Sequence, residues 1–243
     1  ELSRTEDGVE YLGYHYDNYF RLSSPLSLAE IDDASMKANL DSDDWRKALS
    51  MVQTIDNIPG NTIHGKGNYR NLFIKDQVLA MTGAVNILHL LTEDQAEGLD
   101  WDIAQYPSWK DHPNQFGYAD LHEMGITKVT ENEEAAMQVL QVFLSDEVQL
   151  EMARKTGRVS PLVGDVFAEQ YGAEVPHLQG KHIEGIFKSS PAPTPEEGIS
   201  KYWGHAHGVL NKYVGQMRNE NLDVNTAIMR AEEEINQYLD AMK

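Results

Sequence analysis

The chain has 243 residues, of which 41% are hydrophobic, so it can bury a sizeable core as one large domain or two modest ones. Its formal charge of −19 excludes a nucleic-acid surface, because phosphate binding needs clustered Lys and Arg. Zero cysteines exclude disulfides, thiolate metal sites and cysteine nucleophiles together.

No window approaches the roughly 18 uninterrupted apolar residues of a membrane span. Glu1-Leu2-Ser3-Arg4-Thr5 has neither the basic nor the apolar region of a signal peptide, so any such segment is expected to have been removed. Val9 to Tyr16, rich in aromatics and flanked by Gly8 and Asp17, predicts a strand. Asp17-Asn18-Tyr19-Phe20 follows it with polar and aromatic groups side by side. Asp41-Ser42-Asp43-Asp44 caps a helix whose apolar face is Trp45, Ala48, Leu49, Val52 and Ile55. Pro59-Gly60-Asn61 ends that helix, and the polar run through Gly65 and Gly67 is a loop. From Phe73 the pattern predicts a short helix ending in charge, then an apolar strand containing Ala80-Met81 and closed by Gly83. A short helix over 86–91 follows, then a strand from Trp101 stopped by Tyr106-Pro107.

Beyond Pro107, residues 108–117 read as a loop and 121–127 as a strand. Thr130-Glu131-Asn132-Glu133 has the pattern of a capping box, opening a helix expected to bury Ala136, Val139, Leu140 and Phe143. Ser145-Asp146-Glu147 caps another helix at once, and Gly157 closes it. Thr194-Pro195-Glu196-Glu197 is a second box, predicting a helix through Trp203, Val209, Leu210 and Val214 with Gly204 and Gly208 as weak points. Asp223 caps the last helix, with Ala227, Ile228, Ala231, Ile235 and Leu239 as its stripe. Glu232-Glu233-Glu234 reads as a solvated face of it.

Gly65-Lys66-Gly67 lacks the third glycine and preceding strand of a dinucleotide site, and neither a Walker sequence nor a Gly-x-Ser-x-Gly elbow occurs. His205-Ala206-His207 places two histidines about 200° apart on a helix, a poor arrangement for one ion. Either ring suits a polar contact near a cleft better, although a metal-binding module using both remains an alternative. Asp41 to Asp44 lacks the glycine and distal glutamate of a calcium loop. Paired carboxylates abound in so acidic a chain, so only their spatial separation could support a carbohydrate-active enzyme, the second alternative. The favoured reading is a non-enzymatic protein without a cofactor.

Three segments together carry a family resemblance. The helix–strand–loop–strand block from Phe73 to Pro107, with Ala80-Met81, Gly83 and Tyr106-Pro107, is one. Ser145-Asp146-Glu147-Val148-Gln149 is the second, and Arg158-Val159-Ser160-Pro161 the third. They resemble the family 1 extracellular solute-binding proteins, which deliver sugars to ABC importers. The resemblance implies an α/β fold of the type II periplasmic-binding-protein-like class, two-lobed, with most of the N-terminal lobe missing. On it, residues 1–105 plus 162–243 form the C-terminal lobe, and 106–161 the returning segment of the other.

The resemblance also implies a ligand: a carbohydrate or similar small solute in an interlobe cleft, with an ABC permease in the membrane as partner. Sugars offer C–H faces that pack on aromatic rings and hydroxyls that need fixed polar partners. By position in the family, Asp17, Tyr19, Tyr202 and Trp203 would line the cleft. Where relatives carry a tryptophan after the glycine, this chain reads Gly83-Ala84-Val85-Asn86-Ile87. Asn86 would there bond a hydroxyl without any stacking surface. An extracytoplasmic location follows, periplasmic or on the cell surface with the lipid anchor outside these residues. A shortened chain would bind solute weakly and could associate with itself through 106–161.

Overall fold

A computed structural model describes residues 2–16, 18–58, 61, 70–82, 91–118, 123–195 and 198–243. The chain begins with strands β1 (Arg4–Glu6) and β2 (Val9–His15), then helix α1 (Phe20–Ser23). A small hairpin, β3 (Ile31–Asp32) and β4 (Lys37–Ala38), leads to α2 (Asp43–Asp56) and β5 (Leu79–Thr82). Next come α3 (Glu93–Glu97), β6 (Gln115–Phe116), α4 (Glu133–Phe143), α5 (Asp146–Thr156), α6 (Asp165–Glu169) and α7 (Glu184–Phe187). The short β7 (Ser190–Pro191) precedes two long helices, α8 (Trp203–Glu220) and α9 (Val224–Asp240).

The chain folds as two compact units. One holds residues 1–83, 107–119 and 190–243; the other holds 84–106 and 120–189. These divisions differ from the boundaries at 105 and 161 suggested by the sequence. The cause lies in the 101–105 segment, which is fastened within the second unit. Lys181 Nζ donates to the Trp101 carbonyl at 2.5 Å, and Asp102 Oδ1 accepts the His182 amide at 3.0 Å. Gln105 Nε2 donates to Ser189 Oγ at 3.0 Å. Those side-chain bonds replace a strand ladder, so the strand expected from Trp101 to Tyr106 is absent.

In the first unit β1 and β2 pair antiparallel, with Glu6 opposite Val9. The connecting Asp7 and Gly8 have φ of 50° and 80°, the left-handed pair that a two-residue hairpin needs. β2 then runs parallel to β5, with Leu12 opposite Leu79 and Tyr14 opposite Met81. α2 begins where Ser42 accepts the Trp45 amide, and it buries Trp45, Ala48, Leu49 and Val52. α9 begins where Asp223 accepts the Thr226 amide, and its stripe of Ala227, Ile228, Ala231, Ile235 and Leu239 is buried. α8 contributes Ala206, Val209, Leu210, Tyr213, Val214 and Met217 to the same core.

Two details of these helices depart from expectation. Glu232 and Glu234 are not a merely solvated face. Glu232 Oε1 accepts the Leu40 and Asp41 amides at 3.0 and 3.1 Å, while Glu234 Oε2 accepts Lys212 Nζ and Tyr213 OH at 2.6 and 2.8 Å. α8 also starts eight residues later than a helix opened at Pro195 would. Gly198 has a φ of 76°, closing a turn in which its amide donates to the Pro195 carbonyl. Ser200 then takes over the start, its Oγ accepting the Tyr202 amide at 3.1 Å and donating to Asp33 at 2.6 Å.

In the second unit Ser145 caps α5 by accepting the Val148 amide, and Gly157 ends it in the left-handed conformation with a φ of 60°. α4 behaves differently. Thr130 Oγ1 accepts the Asn132 amide instead of a helical one, so no capping box forms and the helix starts at Glu133. It has no buried residue: Val139 is 68% and Val142 62% exposed, against the buried face expected. Glu123 to Thr127 is irregular rather than a strand. The expected loop over 62–69, the close of the strand at Gly83 and most of the expected 86–91 helix lie outside the described residues.

Gly172 sits in a crowded turn of this unit. Its φ is 67°, and a Cβ there would sit 2.6 Å from Cδ1 of Leu178, which is 2% exposed. Gly172→Ala should therefore cost about 1–2 kcal/mol from the left-handed backbone, before any displacement of Leu178. Urea unfolding followed by far-UV circular dichroism measures this; an unchanged midpoint would contradict it.

Candidate functional site

Glu30 immediately precedes β3, and its backbone is held by the Asn39 amide at 2.9 Å. Its side chain is only 3% exposed, an expensive place for a carboxylate unless donors surround it. Two donors converge on Oε1: the Tyr19 hydroxyl at 2.9 Å and the Trp203 indole N–H at 3.2 Å. Tyr19 OH also meets His207 Nδ1 at 2.8 Å. The single phenol proton goes to Glu30, so His207 carries its proton on Nδ1 and donates it to Tyr19. A chain of hydrogen bonds thus runs from His207 through Tyr19 to Glu30, where Trp203 joins it. Burial pushes the Glu30 carboxyl up, and the Tyr19 and Trp203 bonds partly offset that rise. Burial also holds His207 below the ordinary histidine value of 6.5.

Aromatic rings enclose this network. His207 stacks on Trp203 with centroids 4.6 Å apart and planes at 28°. Phe20 meets Trp203 edge-on at 5.8 Å and Tyr118 at 5.5 Å. Tyr118 OH donates to the Leu28 carbonyl at 3.1 Å, which fixes that ring beside Glu30. Between them lies a small pocket lined by Leu28, Glu30, Tyr118, Ile199, Ser200 and Trp203 among others. It brings together the Glu30 carboxyl, the Ser200 and Tyr118 hydroxyls and two aromatic rings, the mixture that suits a hydroxylated solute.

Of the residues singled out by sequence, Tyr19 and Trp203 come together, though in different roles. Tyr19 is 1% exposed and acts as an internal hydrogen-bond partner, whereas Trp203 is half-buried and lines the pocket. Tyr202 is aimed elsewhere, packing edge-on against Tyr238 at 6.1 Å. His205 stacks on that same Tyr238 at 3.7 Å, so the two histidines diverge as helical geometry requires. Among the described residues no group of three or more His, Cys, Asp or Glu could hold a metal ion. Asp17 and Asn86 lie outside the described residues. Glu30 and Tyr118 were not signalled by any motif. The one local hint for Glu30 is its setting, an acidic residue within Leu28-Ala29-Glu30-Ile31.

Comparison with known proteins agrees with this fold. Residues 11–178, more than half the chain, match the family of bacterial extracellular solute-binding proteins, and the chain belongs to it. A search of curated proteins gives no match. Among solved structures, an ABC substrate-binding protein from Listeria monocytogenes in complex with cycloalternan aligns with a TM-score of 0.66 at 12% identity, over 95% of this chain and 59% of its own. The maltose/maltodextrin-binding domain of Bdellovibrio bacteriovorus, bound to maltotriose, gives 0.61 at 17%, over 98% and 63%. An ABC transporter solute-binding protein from Thermotoga lettingae, bound with α-D-tagatose, gives 0.59 at 18%, over 94% and 60%. The chain therefore has the α/β periplasmic-binding-protein-like fold and spans about three fifths of the length of these structures. All three neighbours are described as binding proteins. Among the described residues no helix is long and apolar enough to cross a membrane.

The state of His207 can be checked directly. Because its value is depressed in the fold, the unfolded chain binds the proton more readily, so stability rises with pH across this range. That contribution is complete above pH 6.5 and is lost as pH falls from 6.5 towards the folded value. Proton NMR of the ring C–H, assigned with His207→Gln, should show titration below 6.5; a value above it would refute the assignment.

Proposed function

We propose that this chain belongs to the substrate-binding component of an ABC importer and takes a carbohydrate, or a similar hydroxylated solute, against Trp203. One observation carries the reading. The Trp203 indole is fixed at its N–H by Glu30 and backed on one face by His207, and it lines the pocket together with Ser200 and the Glu30 carboxylate. Sugar C–H faces pack on such rings, and sugar hydroxyls donate to carboxylates. The tagatose, cycloalternan and maltotriose named for the structural neighbours favour the same class of solute.

Delivery to a membrane permease, an extracytoplasmic location and closure of two lobes on the ligand belong to the same proposal. A ligand that contacts both lobes favours the closed form, because only that form makes both sets of contacts. Such a role needs no covalent chemistry. Asp17 and Asn86 would add polar contacts to the solute, and Tyr202 would support the site from behind.

The test is a thermal-shift screen of mono- and oligosaccharides on the protein in its native length, followed by calorimetry on any hit. A sugar should raise the melting temperature, and Trp203→Ala should weaken its binding about tenfold or more, the worth of one buried aromatic contact. Failure of every sugar to bind would sink the proposal.

A further inference from the structure

Resting on that reading, we propose that Glu30 is the positioning residue of the solute site: its buried carboxylate sets the plane of the Trp203 indole and, through Tyr19, the His207 ring behind it. Three separate stretches of chain meet at this one side chain. Tyr19 stands at the start of α1, Glu30 before β3, and Trp203 and His207 one turn apart on α8. An indole on the first turn of a helix can rotate about two bonds, and stacking alone leaves rotation within its own plane free. The bond from Nε1–H to Glu30 Oε1 removes that freedom, since it anchors one edge of the ring. His207 is fixed in the same way by Tyr19 OH, so the stacked pair presents a single preset surface. Presetting a stacking surface lowers the ordering cost that a ligand must otherwise meet.

A carboxylate suits this task better than an apolar residue or a backbone carbonyl. Oε1 accepts two donors at once and brings a charge-assisted bond to each. Filling the same space with an apolar side chain would avoid the desolvation cost but leave the Tyr19 hydroxyl and the Trp203 N–H without that acceptor. The other ionisable groups nearby are engaged: Tyr19 and His207 belong to the chain itself, and Asp33 holds Ser200 Oγ at 2.6 Å.

The experiment combines nitrogen–proton NMR of the Trp203 indole with solute affinity, on the full chain, for Glu30→Ala, Glu30→Gln and Tyr19→Phe. In the wild type the Nε1–H resonance should move as Glu30 titrates, and in E30Q it should become independent of acidic pH, which a merely structural residue would not produce. E30A should lose about tenfold or more in affinity, comparable to removing the ring, because a bond to a charged group is lost. E30Q, which keeps an acceptor at the same place, should restore most of that loss. Y19F should leave the Trp203 resonance in place while shifting His207. An indole resonance indifferent to Glu30 would overturn the proposal, as would full affinity in E30A. If E30A fails to fold, the pH response of the wild type and E30Q still decides. Should no sugar bind the wild type, the functional reading fails while the resonance still tests the positioning role.

Discussion

Close approach of three helices is the constraint on which the first unit depends. Ala206 on α8 and Ala227 and Ala231 on α9 are fully buried, alongside Leu49 and Val52 of α2 and Leu210, Ile235 and Leu239. Small side chains at such positions let helix backbones come near one another, and the longer ones interlock around them. This fixes the rotation of α8 about its own axis. Turning it by one residue would drive His205 or His207 into the space that Ala206 fills. Trp203 and His207 lie at the edge of the same buried stripe, so the core decides which way they point before any polar contact forms.

Polar chemistry then completes what packing begins. Among the described residues of the unit, Glu30 and Asp56 each bury a carboxyl group in a side-chain network, and in each case donors come with it. Glu30 has Tyr19 and Trp203; Asp56 has Tyr16 at 2.7 Å and Arg218 Nε at 3.0 Å. Burial raises the pKa of both tyrosines, so each stays a neutral donor throughout the physiological range. The arrangement answers a problem specific to so acidic a chain, where an unpartnered buried carboxylate would face both desolvation and the repulsion of its neighbours.

Local signals were the legible part of this molecule. Ser42, Ser145 and Asp223 each accept the amide three residues ahead, so a short window of sequence suffices to place their helices. The family block likewise depends on contiguous residues. Legibility ended where a distant partner decides. Thr194 has the local form of a cap, yet Gly198 and the Ser200 bond to Asp33 set the start of α8. Trp101 to Gln105 has a strand-like composition, yet it is secured by the Lys181 side chain and the His182 amide some 80 residues away. Glu30 escaped notice for the same reason, since its donors come from positions 19 and 203. The aromatic pair Tyr202-Trp203 was visible, but only tertiary packing separates the ring turned to the pocket from the ring turned to Tyr238.

α4 has a consequence for how the second unit comes apart. A helix that buries no side chain gains almost nothing from desolvation, so its opening adds little to the heat capacity of unfolding. Apart from its own backbone ladder, its C-terminal end is tied by Gln149 Nε2 to the Phe143 carbonyl at 2.9 Å. The adjoining α5 buries Gln149 and Ala153, and Tyr171 OH donates to the carbonyl of its closing Gly157 at 2.5 Å. Two neighbouring helices of equal length thus stand at opposite ends of the local stability scale: the first can exchange its amide protons by fraying alone, while the second must wait for its unit to open.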